Sequence, residues 1–211
     1  MKIAVVDYGS GNLRSVYQAI KKLAPLNSDV WVTEDPNKVK EADRVIFPGQ
    51  GAMPDCMGNL RKAGLEEAVR GSLKRKPFVA VCVGEQMLFD FSEEGDVSAL
   101  GVFPGRVVRF PANQYGEDGS RLKVPQMGWN RVRKTMDHYM WEGIPDNSWF
   151  YFVHSYYVVP ADLNLIAGTT DYGRKVTVAV AKDYIFATQF HPEKSADMGL
   201  KLYSNFLTWK P

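Results

Sequence analysis

Two groups of residues in this chain have the types and spacing for nucleophilic chemistry. The first is centred on Cys82, in Phe78-Val79-Ala80-Val81-Cys82-Val83-Gly84-Glu85-Gln86-Met87-Leu88-Phe89. The short apolar run before the cysteine reads as a buried strand of a parallel sheet. Gln86 to Phe89 have the propensities of a helix start. A thiol between a strand end and a helix start is the cysteine form of the nucleophile elbow. Such a turn is tight and strained. Gly84 gives room for close packing, and amides at a helix N-terminus stabilise both a thiolate and an oxyanion. A cysteine at a strand end is, taken alone, more often a packed side chain. A base decides the matter.

The second group is His191-Pro192-Glu193, directly after the apolar strand at 185–190. Proline fixes its own φ and biases the preceding histidine toward extended backbone, where residues i and i+2 project to the same side. Glu193 then reaches the imidazole and holds one tautomer, leaving the other nitrogen for a thiol. Seen alone, the pair reads equally as a strand-end histidine beside a solvated glutamate. Beside an elbow cysteine it reads as a base and its orienting group. Of the remaining histidines, His138 sits in Met136-Asp137-His138-Tyr139 and reads as a surface turn.

The elements that must position these groups follow from hydrophobic periodicity. Strands are expected at 3–6, 30–32, 42–47 and 78–81. Helices are expected after residue 12, with Leu13, Val16, Tyr17, Ile20 and Leu23 as one buried stripe, and over 59–73. The first ninety residues thus read β-α-β-β-α-β-α, a doubly wound parallel sheet. Strand-like segments then crowd together at 105–110, 129–132, 149–159, 165–169, 176–181 and 184–189, with turn signals at 113–119 and 144–147. Asp171-Tyr172-Gly173 and Asp183-Tyr184 mark hairpin turns. This predicts antiparallel strands on one edge of the sheet, or a small β layer across it. A helix closes the chain at 196–209.

Two glycine-rich loops lie at strand ends. Pro48-Gly49-Gln50-Gly51-Ala52 has the flexibility to offer backbone N–H groups to a developing negative charge, at the end of the sheet where α/β proteins place their chemistry. Asp7-Tyr8-Gly9-Ser10-Gly11-Asn12 lacks the third glycine of a dinucleotide loop, residue 14 being Arg, and reads as a tight connection.

The 211 residues suit one α/β domain, 1–211, and a formal charge of +2 gives no reason to expect nucleic acid. Two cysteines make no disulfide framework and suit a reducing cytosol. The N-terminus enters a strand rather than a signal peptide, and no apolar run approaches the ~18–20 residues of a membrane helix. A cytoplasmic protein is expected.

The elbow Cys82-Val83-Gly84-Glu85-Gln86 together with His191-Pro192-Glu193 resembles the class I, triad-type glutamine amidotransferases. Further motifs extend the likeness along the chain: Asp7 to Leu13, Pro48 to Ala52, Lys123-Val124-Pro125-Gln126-Met127-Gly128-Trp129-Asn130, Tyr151-Phe152-Val153-His154-Ser155-Tyr156, and the Lys194-Ser195 extension. Within that family they resemble the glutaminase subunits of imidazole glycerol phosphate synthases. The resemblance implies an open, mostly parallel, flavodoxin-like sheet flanked by helices, with added antiparallel strands. It implies that Cys82 attacks the side-chain amide of glutamine, with His191 as base and acid and Glu193 orienting it. Backbone N–H groups of Val83 and the Gly49-Gln50-Gly51 loop would hold the oxyanion. Gly51, Gln86, Ser155 and Tyr156 would bind glutamine, without metal or cofactor. Ser155 and Tyr156 read equally as the exposed hydroxyl face of a strand.

Nothing in the chain looks able to hold a phosphorylated acceptor, so the ammonia must be used elsewhere. The resemblance implies a heterodimer with a (β/α)8-barrel cyclase that makes imidazole glycerol phosphate and an aminoimidazole carboxamide ribotide, with no nucleic acid and no membrane involved. Asn12, Trp129 and Lys194 match positions near that interface; a cap, a core aromatic and a solvated charge are their bland readings. A low basal activity, raised when the partner assembles the oxyanion hole, is expected from the flexible loop.

Two positions depart from the family pattern. Glu85 replaces an uncharged residue; facing the thiol it would raise the thiol pKa, but at the second helical position it is expected to point aside and favour the helix dipole. Gln50 replaces an apolar residue in the oxyanion loop. Competing functions are a glutaminase feeding another synthase, such as one that amidates a sugar, and a non-catalytic regulatory scaffold. The intact Cys82, His191 and Glu193 oppose the scaffold. A cysteine peptidase of similar fold is weaker, since no feature forms an extended peptide groove.

Overall fold

The structure, a computed structural model, describes residues 1–9, 12–116 and 118–211. Ser10 and Gly11 of the first glycine loop, and Glu117 of the turn signal at 113–119, lie outside the described residues.

Strands β1 (Lys2–Val6), β2 (Asp29–Thr33), β3 (Arg44–Gly49) and β4 (Phe78–Cys82) pair in parallel in the order β2-β1-β3-β4. Strand β13 (Ile185–Thr188) adds to β4, also in parallel. This is the flavodoxin-like order expected of a doubly wound sheet. β3, β4 and β13 are buried at every residue, as their unbroken apolar runs require of strands covered on both faces. Helix α1 (Leu13–Leu23) buries Val16 and Ile20 of the expected stripe, with Ala19 beside them and Leu13, Tyr17 and Leu23 partly buried, and packs against α6 (Ala196–Thr208).

Several expectations are corrected. A short helix, α2 (Pro36–Glu41), separates β2 from β3. The Asp35 carboxylate accepts the Asn37 N–H at 2.8 Å and Pro36 opens the first turn, a start signal in a segment too short to show periodicity. The helix expected over 59–73 is two, α3 (Met53–Lys62) and α4 (Glu66–Leu73), divided at Gly64 with φ 68°. Helix α5 (Val83–Gln86) begins immediately after the cysteine and ends before Phe89, which opens β5 (Phe89–Ser92) rather than continuing a helix. Phe89 is fully buried and meets Phe103 edge-on, so packing overrides helix propensity there.

Strand β12 (Lys175–Lys182) pairs antiparallel with β13, and β10 (Tyr156–Pro160) with β12. The sheet continues through β7 (Phe103–Arg109), β5 and β6 (Val97–Ser98). A branch runs from β12 through β11 (Ile166–Asp171) and β8 (Gln126–Lys134) to β9 (Ser148–His154). The single strand expected at 149–159 is therefore two, β9 and β10, turning at Ser155. The hairpins at 171–173 and 183–184 form as read. The segment at 184–189, grouped with the antiparallel strands, is instead the joint between the two halves. It runs parallel to β4 and antiparallel to β12. Consequently the carboxyl ends of β1, β3, β4 and β13 bring Tyr8, the 49–51 loop, Cys82 and His191 to one end of the sheet.

Candidate active site

Cys82 is held with φ 57° and ψ −117°, outside the conformations a residue with a Cβ prefers. Such strain costs about 1–3 kcal/mol and persists only where the surroundings over-determine it. Two glycines do so. A Cβ at Gly84 would lie 2.2 Å from the Phe47 carbonyl oxygen, and one at Gly49 would lie 2.4 Å from the Gly84 nitrogen. The first turn of α5 is thus pressed onto the end of β3, and Gly49 is the register partner of Cys82. The Tyr8 hydroxyl donates to the Pro48 carbonyl at 2.9 Å and ties down the loop that follows. With Cys82 as N-cap, Val83 occupies the first helical position, where a backbone N–H has no intrahelical acceptor.

His191 arrives from the end of β13. His191 is extended, φ −99° and ψ 99°, and Pro192 opens a single 3-10 turn, Pro192–Lys194, rather than continuing the strand. Glu193 still reaches back: its Oε1 lies 2.8 Å from His191 Nδ1, with both side chains almost wholly buried. Glu193 also accepts from Asn12 Nδ2 and, at 3.2 Å, from the Tyr203 hydroxyl. Ser195 Oγ donates to the His191 carbonyl at 2.6 Å and accepts the Tyr151 N–H at 2.9 Å, fixing the backbone under the ring. The other ring nitrogen, Nε2, is buried without a hydrogen-bond partner. Burial by itself would lower the His191 pKa. The Cys82 sulfur, then Glu193, outweigh it and hold the imidazole pKa above its ordinary value. A cationic ring beside an anionic sulfur is the form a cysteine nucleophile needs.

A cavity of about 280 Å³ opens onto these groups, lined by Cys82, Gln86, Ser155, Tyr156, His191 and Gly51 among others. A larger hollow of about 780 Å³, along 134–144, lies away from them, so size is a poorer guide here than chemistry. The Gln86 Nε2 is committed to Gln189 Oε1 at 2.8 Å and to the Tyr156 carbonyl at 3.1 Å, leaving its Oε1 as the free acceptor. Glu94 lines the same cavity and accepts the Met53 N–H at 2.9 Å.

The remaining expected residues divide. Asn12 adopts φ 66° at the start of α1, yet its side chain makes no capping bond and goes to Glu193 instead. Trp129 is no core aromatic: it is half exposed, edge-on to Tyr151 with ring centroids 6.1 Å apart, and Lys194 Nζ sits 5.8 Å from the same tyrosine ring. Gln50 is exposed, and its carbonyl accepts from Cys56 Sγ at 3.5 Å. Burial pushes the Cys56 thiol up to about 11, so it is inert.

Glu85 does not point aside to solvent. It is wholly buried, both carboxylate oxygens lack partners, and burial, with a contribution from Cys82, raises its pKa well above the ordinary value. It is a neutral acid inside the protein, because the short α5 is covered on all sides. His138 is no surface turn either. It caps a 3-10 turn by accepting the Met140 N–H at 3.1 Å and packs between Phe186, tilted against it, and Trp209, edge-on.

Sequence reasoning passed over Tyr203 and Gln189, and quoted Ser195, His154 and Gln126 within motifs without giving them a role. A glutamine inside the apolar run at 185–190 was a legible signal; the partners of the others come from distant elements.

A family model described as "Glutamine amidotransferase class-I" matches residues 4–208. The chain is 59% identical over 210 residues to a protein of Aromatoleum aromaticum named imidazole glycerol phosphate synthase subunit HisH, covering 99% of each. Proteins of the same name from Nitrosospira multiformis and Dechloromonas aromatica are 56% and 58% identical, covering 99% of this chain and 98% and 97% of theirs. Among solved structures, one described as glutamine amidotransferase superposes with a TM-score of 0.66 at 20% identity, covering 97% of each chain. A glutamine amidotransferase from Thermotoga maritima gives 0.60 at 16% identity, covering 94% of this chain and 78% of that one. At these identities the two structures speak for the fold alone.

Proposed function

The chain belongs to the class I glutamine amidotransferases, and from that membership we propose how its residues divide the work. It is the glutamine amidotransferase subunit of imidazole glycerol phosphate synthase, an enzyme of histidine biosynthesis. Cys82 Sγ, ionised by His191, attacks the side-chain carbonyl carbon of glutamine. The C–N bond breaks as His191 gives its proton to the departing amine, releasing ammonia. Water, deprotonated by the same imidazole, opens the γ-glutamyl thioester, and glutamate leaves with the thiolate restored. Glu193 keeps Nδ1 protonated and Nε2 toward the sulfur. The Val83 N–H and those of Gly49, Gln50 and Gly51 receive the oxyanion; losing one such donor costs about 10²–10³ in rate. Gly51, Gln86 Oε1, Ser155 and Tyr156 hold the substrate.

The carrying observation is the buried His191–Glu193 pair meeting a strained Cys82 across a cavity of about 280 Å³. The residues 1–211 act as one glutaminase domain, docked as a heterodimer on a (β/α)8-barrel cyclase that uses the ammonia to form imidazole glycerol phosphate and the aminoimidazole ribotide. The exposed face carrying Met127 and Trp129, beside Lys194, supports that docking side. The free thiols of Cys56 and Cys82 fit a cytoplasmic setting. The test is glutamate release from glutamine with and without the cyclase and its phosphoribulosyl ligand, with Cys82→Ala as blank. A ligand-dependent rise that vanishes in the blank, by at least about 10⁴-fold, is expected; release undiminished in the blank would overturn the assignment.

A further inference from the structure

Behind Cys82 runs a chain of buried polar groups in which the reaction as described uses Gln86 and Tyr156 but gives Gln189, His154 and Gln126 no role. Gln189 Nε2 donates to Cys82 Sγ at 3.6 Å, and Gln189 Oε1 accepts from Gln86 Nε2 at 2.8 Å. Gln86 Nε2 also donates to the Tyr156 carbonyl, which lies 2.8 Å from His154 Nδ1. His154 Nε2 lies 2.9 Å from the Gln126 side-chain amide. Gln126, His154, Gln86, Gln189 and Cys82 are all buried, and Gln189 has no exposed surface.

The hydrogen bonds along this chain have one direction. A carbonyl only accepts, so His154 carries its proton on Nδ1. Burial lowers the His154 pKa to about 4, and the neighbouring His191 acts in the same sense, so the ring is neutral and Nε2 must accept. The atom 2.9 Å from Nε2 is Gln126 Oε1, so this hydrogen bond requires the Gln126 amide turned over, with its NH2 group toward the ring. The Tyr156 carbonyl fixes which way the Gln86 amide faces. That in turn fixes Gln189, whose oxygen must meet Gln86 and whose N–H must meet the sulfur. A glutamine at this site could not be turned over without placing an N–H against an N–H.

We propose that Gln189 is a further catalytic residue, its amide N–H donating to the Cys82 thiolate, and that Gln86, His154 and Gln126 are positioning residues that aim it. Burying an amide costs about 1–3 kcal/mol unless its bonds are made, and an aliphatic residue would continue the apolar strand before it. The donor is felt most when the sulfur carries full charge. It therefore favours the ionised thiol before attack and the departing thiolate when water opens the thioester. The inference rests on the reading of Cys82 as the nucleophile.

The test follows alkylation of Cys82 by iodoacetamide across pH ~5–9, resolved by peptide mass so that Cys56 serves as an internal reporter of loosened packing. A hydrogen bond to a charged group is worth about 1.5–3 kcal/mol and 1.36 kcal/mol is one pH unit. Gln189→Leu is thus expected to move the Cys82 midpoint up by about one unit and to slow glutamate release about tenfold, with Cys56 unreactive as before. His154→Leu should shift the midpoint in the same direction by less, and His154→Asn, which keeps a donor for Tyr156 O, should restore it. If Gln189→Leu exposes Cys56, Gln189→Met of similar volume replaces it. An unmoved midpoint with Cys56 still protected would overturn the proposal and leave the nucleophile intact. An ordinary thiol midpoint for wild-type Cys82, with glutamate release surviving Cys82→Ala, would instead remove the nucleophile itself.

Discussion

Around Cys82 the chain is held by backbone sterics, whereas around His191 it is held by side-chain hydrogen bonds. Cys82, the proposed nucleophile, sits in a strained conformation because Gly49, Gly84 and the Phe47 carbonyl leave no other. His191, the proposed base, sits in ordinary extended backbone and owes its place to Glu193, which gathers Asn12 from just before the first helix and Tyr203 from the last. A steric lock needs only the ends of two paired strands and tolerates nothing. A clamp of hydrogen bonds draws on the whole chain and weakens by degrees.

That contrast can be broken most severely at Gly84. Gly84→Ala forces a Cβ against a backbone oxygen that cannot swing away, and about 3 kcal/mol or more of stability should be lost, read as a lowered denaturation midpoint together with lost glutaminase activity. A next, smaller effect concerns Glu85, on the nucleophile's side. An acid whose folded pKa exceeds its unfolded 4.5 keeps a proton that the unfolded chain releases, so the fold weakens as pH rises above 4.5. Glu85→Met should stabilise the protein by about 2 kcal/mol at pH ~8, and the gain should shrink toward pH ~4. A pH-independent difference would show that Glu85 is not a buried neutral acid.

On the base's side the effects should be graded. Asn12→Ala is expected to cut the glutaminase activity of the isolated chain about tenfold with the fold intact, and Tyr203→Phe by somewhat less. An interface role alone for Asn12 would leave the isolated chain unaffected, so the experiment separates the two readings of that residue. Smallest is the strain itself. Cys82→Gly should be about 1 kcal/mol more stable than Cys82→Ala, since only glycine relaxes at φ 57°; equal melting curves would mean the elbow stores nothing.

The same contrast explains what the sequence made legible. Cys82 and Gly84 share one short motif, the 49–51 loop is another, and His191-Pro192-Glu193 is a single tripeptide, so each part of the candidate triad was legible locally and the family resemblance joined the parts. The parallel strands were legible because double-sided burial demands unbroken apolar runs. Helix α2 was lost because six residues are too few for a 3.6 period to show. Phe89 was misread because its burial against Phe103 is decided by a strand outside its own segment. Tyr203 and Gln126 were invisible for a similar reason: their partners are Glu193 and His154, set by folding rather than by spacing. Glu85 was expected to follow the rule for exposed helix starts, but its helix is a buried single turn.

The place of β13 has a consequence for how the protein is made. β4 is finished at Cys82, yet the strand that covers its open edge begins at Ile185, about 100 residues later. At about 5–20 residues per second of synthesis, that edge and its thiol wait roughly 5–20 s for their neighbour. Throughout that interval the emerging chain carries an apolar strand edge open to foreign pairing and a cysteine without its base. On the proposed reading, the nucleophile is made early and armed late, when the strand that delivers His191 slots in beside it.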